Sequence, residues 1–271
     1  MNEKLKPVRI APSFFAQRDD TLVTWLGMAG ALINSRGTIL LIDPLLSVVR
    51  RNGDEIVDSG DRLLIQLPLE AGEVLRADAV LYTHADGDHY GSATVRNLDA
   101  RLKPMFLAPP PVLRRIAEQG VAAERLITAG DGASFRIGQT EVVITPALHN
   151  WPRQPAPWQR GDCCGFLIKT PDGTIWHPGD TRLIDELLAI KGVDVLFFDV
   201  AAVEAHLGPA GSARLAQTSG ASVLLAYHYG TFDLPPGSYG NCDPQDALPY
   251  VQGLSAQMLL ASPGELLRLP L

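Results

Sequence analysis

Short apolar runs separated by turn residues dominate the start of the chain. Residues 21–26, 29–35 and 38–42 are three such runs, broken by Gly27 and by Arg36-Gly37. Runs of this length between turn formers predict strands, and their close spacing predicts an antiparallel meander. Residues 79–83 form a continuous run, the pattern of a strand buried on both faces. Residues 105–108 look similar. Pro109-Pro110-Pro111 ends that run, and residues 112–119 then carry helical spacing up to Gly120. Residues 141–145, 165–169 and 174–176 predict further strands, with Pro171-Asp172-Gly173 as a turn. After them come a helix over 183–190 stopped by Gly192, a strand over 193–200, a helix over 210–218 ending near Gly220, and a strand over 222–226. No Pro/Gly/Ser linker divides this order and no repeat recurs at a fixed period. The expectation is one α/β domain over residues 1–271, with two packed sheets and outer helices.

The 271 residues are 46% hydrophobic, enough for a large core. Thirty acids against 23 bases give a formal net charge of -7. Nucleic acid is therefore not the expected partner, because phosphate backbones are bound through an excess of Lys and Arg. The bases are scattered, which leaves no basic patch for a membrane surface. No apolar stretch approaches the ~18 residues of a membrane span. The first twenty residues carry charges throughout and lack an apolar stretch of the signal-peptide kind. Cys163, Cys164 and Cys242 are odd in number with two adjacent, a poor disulfide framework. They read as small buried hydrophobes in a cytoplasmic protein.

The informative segment is Tyr82-Thr83-His84-Ala85-Asp86-Gly87-Asp88-His89-Tyr90-Gly91. Four metal-capable side chains fall within six residues, directly after a buried strand. A solvated acidic turn needs no His on each side. A Ca²⁺ loop prefers oxygen ligands throughout, and the EF-hand spacing is missing. Mixed His and carboxylate donors suit Zn²⁺, Mn²⁺ or Fe²⁺. His149, Asp180 and His228 each follow another expected strand. If those strands are neighbours, their ends converge on one edge, where α/β architectures place their sites.

These residues resemble the metallo-β-lactamase superfamily. Its first signature, H-x-H-x-D-H, has its counterpart in His84-x-Asp86-x-Asp88-His89; a lone His, an Asp in a Gly-Asp-Thr context and a final His follow as His149, Gly179-Asp180-Thr181 and His228. Trp25-Leu26-Gly27-Met28-Ala29-Gly30, Leu41-Ile42-Asp43-Pro44-Leu45-Leu46-Ser47 and His228-Tyr229-Gly230-Thr231-Phe232 look like the branch of ascorbate-6-phosphate lactonase and N-acyl-phosphatidylethanolamine phospholipase D. The resemblance runs over about residues 22–232. It implies a four-layer αββα sandwich of two mixed sheets flanked by helices.

The resemblance also implies two divalent ions, Zn, Mn or Fe. One would be held by His84, Asp86 and His149, the other by Asp88, His89 and His228, with Asp180 between them. Asp43 matches an Asp that braces the ligand loop by hydrogen bonds. The implied activity is hydrolysis of a small ester, lactone or phosphodiester. Two ions ~3.5–4 Å apart share a water, lower its pKa from ~15.7 toward ~7, and so supply a bridging hydroxide. Asp88 would take up the proton as the intermediate collapses. Asp86, Asp88 and Asp180 against two dications leave a core near +1, which suits an anionic substrate.

Asp86 departs from the signature, where a His ligates through its near ring nitrogen. A carboxylate oxygen reaches a similar point and shifts preference toward Mn²⁺ or Fe²⁺. Two other readings follow from it: a metal-binding sensor with a degenerate site, or an iron-dependent redox protein like the flavodiiron branch. The latter needs an electron-donor domain for which there is no room after residue 232. Competent donors at all seven positions favour turnover.

Several further residues are candidate substrate contacts. His206 sits in a loop on the expected rim, as a substrate contact or acid or as an ordinary loop His. The Tyr229 hydroxyl adjoins a ligand, or its ring packs beneath the metals. Trp151, Arg153, Trp158 and Arg160 lie in a proline-rich segment, either a stiff rim for an apolar or anionic group or a surface loop capped by its own aromatics. His177 reads as a packed strand-end residue. The expected partner is a small molecule, and a homo-oligomer is compatible with the sequence.

Overall fold

A computed structural model describes residues 5–150 and 158–271. Two seven-stranded mixed sheets pack face to face. In spatial order the first consists of Leu266–Leu269, Thr21–Gly27, Gly30–Ser35, Thr38–Ile42, Ala79–Leu81, Met105–Ala108 and Leu126–Thr128. The second consists of Gln257–Leu259, Val223–Tyr227, Val195–Asp199, Gly173–His177, Cys164–Thr170, Thr140–Pro146 and Ser134–Ile137. The meander of the first sheet is antiparallel, and its strands become parallel from Thr38–Ile42 onward. In the second sheet the strands from Gly173–His177 through Gln257–Leu259 are parallel. Helices Ser92–Leu102 and Pro110–Ala117 pack beside the first sheet, and Gly208–Ser219 beside the second.

Strand alternation explains the layers. Val23, Trp25, Leu40, Ile42 and Leu81 point into the core between the sheets, where they meet Val142, Ile144, Phe166, Ile175 and Phe197. Their neighbours Leu22, Leu26, Ile39, Leu41 and Val80 point outward, under Val95, Leu98, Val112 and Ile116 of the two helices. Both faces are covered, so these strands read as uninterrupted apolar runs. No helix of the described residues is long and apolar enough to cross a membrane.

The expected strands appear to within about two residues. The expected helix over 183–190 is instead a 3-10 turn, Asp185–Ala189, which buries only Leu187. So narrow a buried face cannot offset the cost of nucleating an α-helix.

The two sheets are tied at one corner through Asp172, whose side chain is 4% exposed. It accepts from Thr21 Oγ1 at 2.8 Å and from Arg36 Nη2 at 2.7 Å. The Arg36 hydrogen bonds outweigh burial and hold the Asp172 carboxyl below its ordinary value. A depressed folded-state pKa contributes stability above the unfolded value of ~3.9, and that contribution is lost as pH falls through the folded value. Asp172→Asn should therefore lower the melting temperature at pH 7, with the gap to wild type closing as pH drops below about 4. A gap that stays constant down to pH 2 would show that the ion pair contributes nothing.

Candidate metal centre

Every polar group of the centre leaves the end of a strand. The turn from His84 to His89 follows Ala79–Leu81, His149 follows Thr140–Pro146, Asp180 follows Gly173–His177, and His228 follows Val223–Tyr227 directly. Asp199 is the last residue of Val195–Asp199, and His206 lies in the loop that leads to Gly208–Ser219. The last strands are parallel neighbours, with Asp199 opposite Tyr227, so their ends share one rim. Two non-glycine residues here adopt left-handed backbone, Asp43 at φ 42° and His228 at φ 69°. Such strained positions cluster where surrounding structure fixes a functional geometry. Gly179 is left-handed too, at φ 66°, and a Cβ there would come within 2.5 Å of the Cys164 carbonyl oxygen. Only glycine fits the bend that delivers Asp180.

Five imidazoles are anchored in the same way. His89 Nδ1 lies 2.8 Å from Asp43 Oδ2. His149 Nδ1 lies 3.1 Å from the Ala205 carbonyl oxygen. His206 and His228 place Nδ1 at 3.0 and 2.9 Å from the two oxygens of Asp199. Carbonyl and carboxylate oxygens only accept, so each of these Nδ1 atoms carries the proton. His84 Nδ1 lies 3.0 Å from Thr83 Oγ1, which donates its own proton to Asp43 Oδ2 at 2.6 Å. His84 is thereby fixed in the same tautomer. Asp43 also accepts from Thr83 N–H at 2.8 Å, so one fully buried carboxylate braces the whole ligand turn.

With Nδ1 engaged, five Nε2 atoms face inward. Asp180 is at their middle: Oδ2 is 3.1 Å from His89 Nε2, 3.3 Å from His206 Nε2 and 4.0 Å from His84 Nε2, and Oδ1 is 3.6 Å from His228 Nε2. Asp86 Oδ2 is 3.3 Å from both His84 Nε2 and His149 Nε2. Donor atoms lie within 4.8 Å of one another in the groups His84–Asp86–His149 and Asp88–His89–Asp180–His228. Among the described residues, His84 Nε2, His228 Nε2 and Asp180 Oδ1 are buried without a hydrogen-bond partner. Buried polar atoms are rarely left so, and a cation among them supplies what is missing. The donor set fits divalent ions.

The electrostatics point the same way. Burial alone would raise Asp86, but the neighbouring His149 and His84 rings and the hydrogen bond from Trp158 hold it well below the carboxylate range. Burial opposes charge on His89, yet Asp180, Asp88 and Asp43 outweigh it and raise that imidazole well above its ordinary value. His206 is likewise pushed up to about 9 by Asp180 and Asp199 against its burial. The cluster draws positive charge.

A family profile described as the beta-lactamase superfamily domain matches residues 38–229. The chain belongs to the metallo-β-lactamase superfamily. A superfamily relative named as a metal-dependent hydrolase, from Pyrobaculum neutrophilum, is 28% identical over 252 residues, 91% of this chain and 99% of its own length. Among solved structures, an isothiocyanate hydrolase from Delia radicum gut bacteria is similar at a TM-score of 0.71 and 17% identity, over 91% of this chain and 98% of that one. The diiron β-hydroxylase CmlA from Streptomyces venezuelae is similar at 0.65 and 18%, over 94% of this chain and 55% of that one. These two structures share the superfamily fold.

The seven residues matched to the superfamily pattern come together, with Asp43 behind them. Two other candidates, Tyr229 and Arg160, do not. The Tyr229 hydroxyl donates to the Ala261 carbonyl at 2.6 Å, and its ring stacks on Trp25 at 4.7 Å, so it is committed to packing. Arg160 pairs with Glu186 at 2.7 Å on the surface and does not line the site. Trp151 and Arg153 lie outside the described residues. His206 faces the centre, placed as the other inward-facing imidazoles are. His177 is a packed residue, with Nε2 donating to the Ala29 carbonyl at 2.9 Å. All three cysteines are free and buried.

Two contributors, Asp199 and Tyr239, are new, and Trp158, expected at the rim, has a different contact. Asp199 anchors two imidazoles. Trp158 Nε1 donates to Asp86. Tyr239 lines the cavity over the centre together with Ser59, Asp61, Asp88, His149 and His206. Burial and the nearby carboxylates of Asp88 and Asp61 push its phenol up to about 12, which keeps the hydroxyl a donor at neutral pH.

Proposed function

We propose that this metal-dependent hydrolase works with two divalent ions on a small ester, lactone or phosphodiester, in the manner of the lactonase-like branch. The observation that carries the reading is the common orientation of five imidazoles, each with its Nδ1 proton engaged and its Nε2 turned inward, four of them toward Asp180 and that of His149 toward Asp86. His84, Asp86 and His149 would hold one ion, Asp88, His89 and His228 the other, with Asp180 shared. Bound there, the pair supplies an activated water and Lewis-acid stabilisation of developing negative charge. Asp88 lines the cavity and accepts a proton from the attacking water or hands one to the leaving group. His206 and Tyr239 offer a ring nitrogen and a hydroxyl to a substrate in the same cavity, whose volume of about 570 Å³ suits a small molecule. Before a hydroxide is counted, three carboxylates against two dications leave a core near +1, which supports an anionic substrate. Asp43, Asp199 and the Ala205 carbonyl keep the imidazoles from turning their protons inward.

Activity against generic esters, lactones and phosphodiesters should vanish after chelation. It should return when Mn²⁺, Zn²⁺ or Fe²⁺ is added, and His149→Ala should stay inactive at any of these. Turnover that survives chelation, or no turnover with any substrate class and metal, would contradict the reading.

A further inference from the structure

Asp86 differs from the other donors. Its side chain is 35% exposed, whereas those of His84 and His149 are at 4% or less. A half-exposed aspartate turns freely about two bonds unless something holds it, and a ligand must be held to within a fraction of an ångström. The indole of Trp158 meets that need. Nε1 lies 3.1 Å from Asp86 Oδ1 and 3.1 Å from Oδ2, a forked hydrogen bond to the carboxylate. Trp158 comes 72 residues later in the chain and is partly buried, packed against the apolar cluster between the first sheet and its helices. With the indole on the carboxylate, Oδ2 is left facing His84 Nε2 and His149 Nε2 at 3.3 Å each.

We propose that Trp158 is a positioning residue: its indole N–H orients Asp86 so that Oδ2 completes a three-donor set with His84 and His149. This rests on the reading of the centre as a two-ion site. Two consequences separate orientation from mere packing. The effect runs through the N–H rather than the ring, and it falls on one ion only. His89 and His228 have anchors of their own, Asp43 and Asp199, that do not involve the indole.

The test is metal affinity, measured by titrating Co²⁺ into metal-free full-length protein and following the visible ligand-field bands, with chelator competition for the constants. Trp158→Phe keeps an aromatic ring and removes the donor. Loss of such an outer hydrogen bond should weaken one of the two ions about 10-fold and leave the other within about twofold. In an Asp86→Ala background the same substitution should change nothing further. A second measurement needs no substitution. In ¹⁵N-indole spectra of the wild type, the Trp158 resonance should shift as the His84–Asp86–His149 position fills. Equal affinities in wild type and Trp158→Phe, equal weakening of both ions, a loss that persists without Asp86, or an unmoved indole resonance would each overturn the inference. A wild type that binds no Co²⁺ would instead overturn the two-ion reading itself, and this inference with it.

Discussion

Asp180→Asn is expected to abolish hydrolysis while leaving the fold intact. The side chain is 2% exposed, and its two oxygens lie 3.1–4.0 Å from Nε2 of four imidazoles. An amide of the same shape keeps one oxygen, loses the negative charge and points an N–H₂ group at nitrogen lone pairs. Hydrogen-bond partners outside a ligand shell cost 10–100-fold when removed, so a ligand shared by both ions should cost more than about 100-fold in kcat. Elemental analysis should show the same variant short of at least one ion. Activity within tenfold of wild type would mean that Asp180 is not shared.

A second large effect is expected at a residue that touches no ion. Asp199→Asn leaves one oxygen for two Nδ1 protons, where wild type presents one to each of His206 and His228 at 3.0 and 2.9 Å. Whichever imidazole meets the amide N–H₂ must give up its Nδ1 proton and carry it on Nε2, inside the centre. Affinity for the ion at Asp88, His89 and His228 should fall roughly 10–100-fold, with activity following. Unchanged affinity in a variant that melts like wild type would show that the tautomer is set by something other than Asp199.

What the sequence revealed about this centre, and what it hid, follows the physics of each residue. Side chains able to hold a metal stand out at strand ends, and His84, Asp88, His89, His149, Asp180 and His228 announce themselves by type and place. Asp43 was legible because it stands right after an apolar strand in a recognisable context. Asp199 was hidden inside a run read as a strand. Its signal was there: an aspartate in a run buried on both faces needs partners, and two of its partners are histidines. Tyr239 lies in a loop of glycine, proline and serine with no periodicity, and only the folded chain brings it over the cavity. Trp158 looked like a rim residue, because the pairing of an indole with Asp86 depends on a contact 72 residues apart in sequence.

The same contrast holds for the fold. The strands between the sheets are apolar throughout because both faces are covered, and their boundaries were readable. Helix Ser92–Leu102 was not, since it buries only Thr94, Val95 and Leu98. The strand Leu266–Leu269 was equally silent. It is mostly exposed and takes its place only by pairing with Thr21–Thr24 at the sheet edge.

The inward-facing donors are expected to hold two ions. Anomalous diffraction from crystals of protein loaded with Mn²⁺ or Zn²⁺ tests it most directly. Two peaks are predicted, one among His84, Asp86 and His149 and one among Asp88, His89 and His228, ~3.5–4 Å apart with Asp180 reaching both. A single peak, or peaks placed away from these residues, would contradict it.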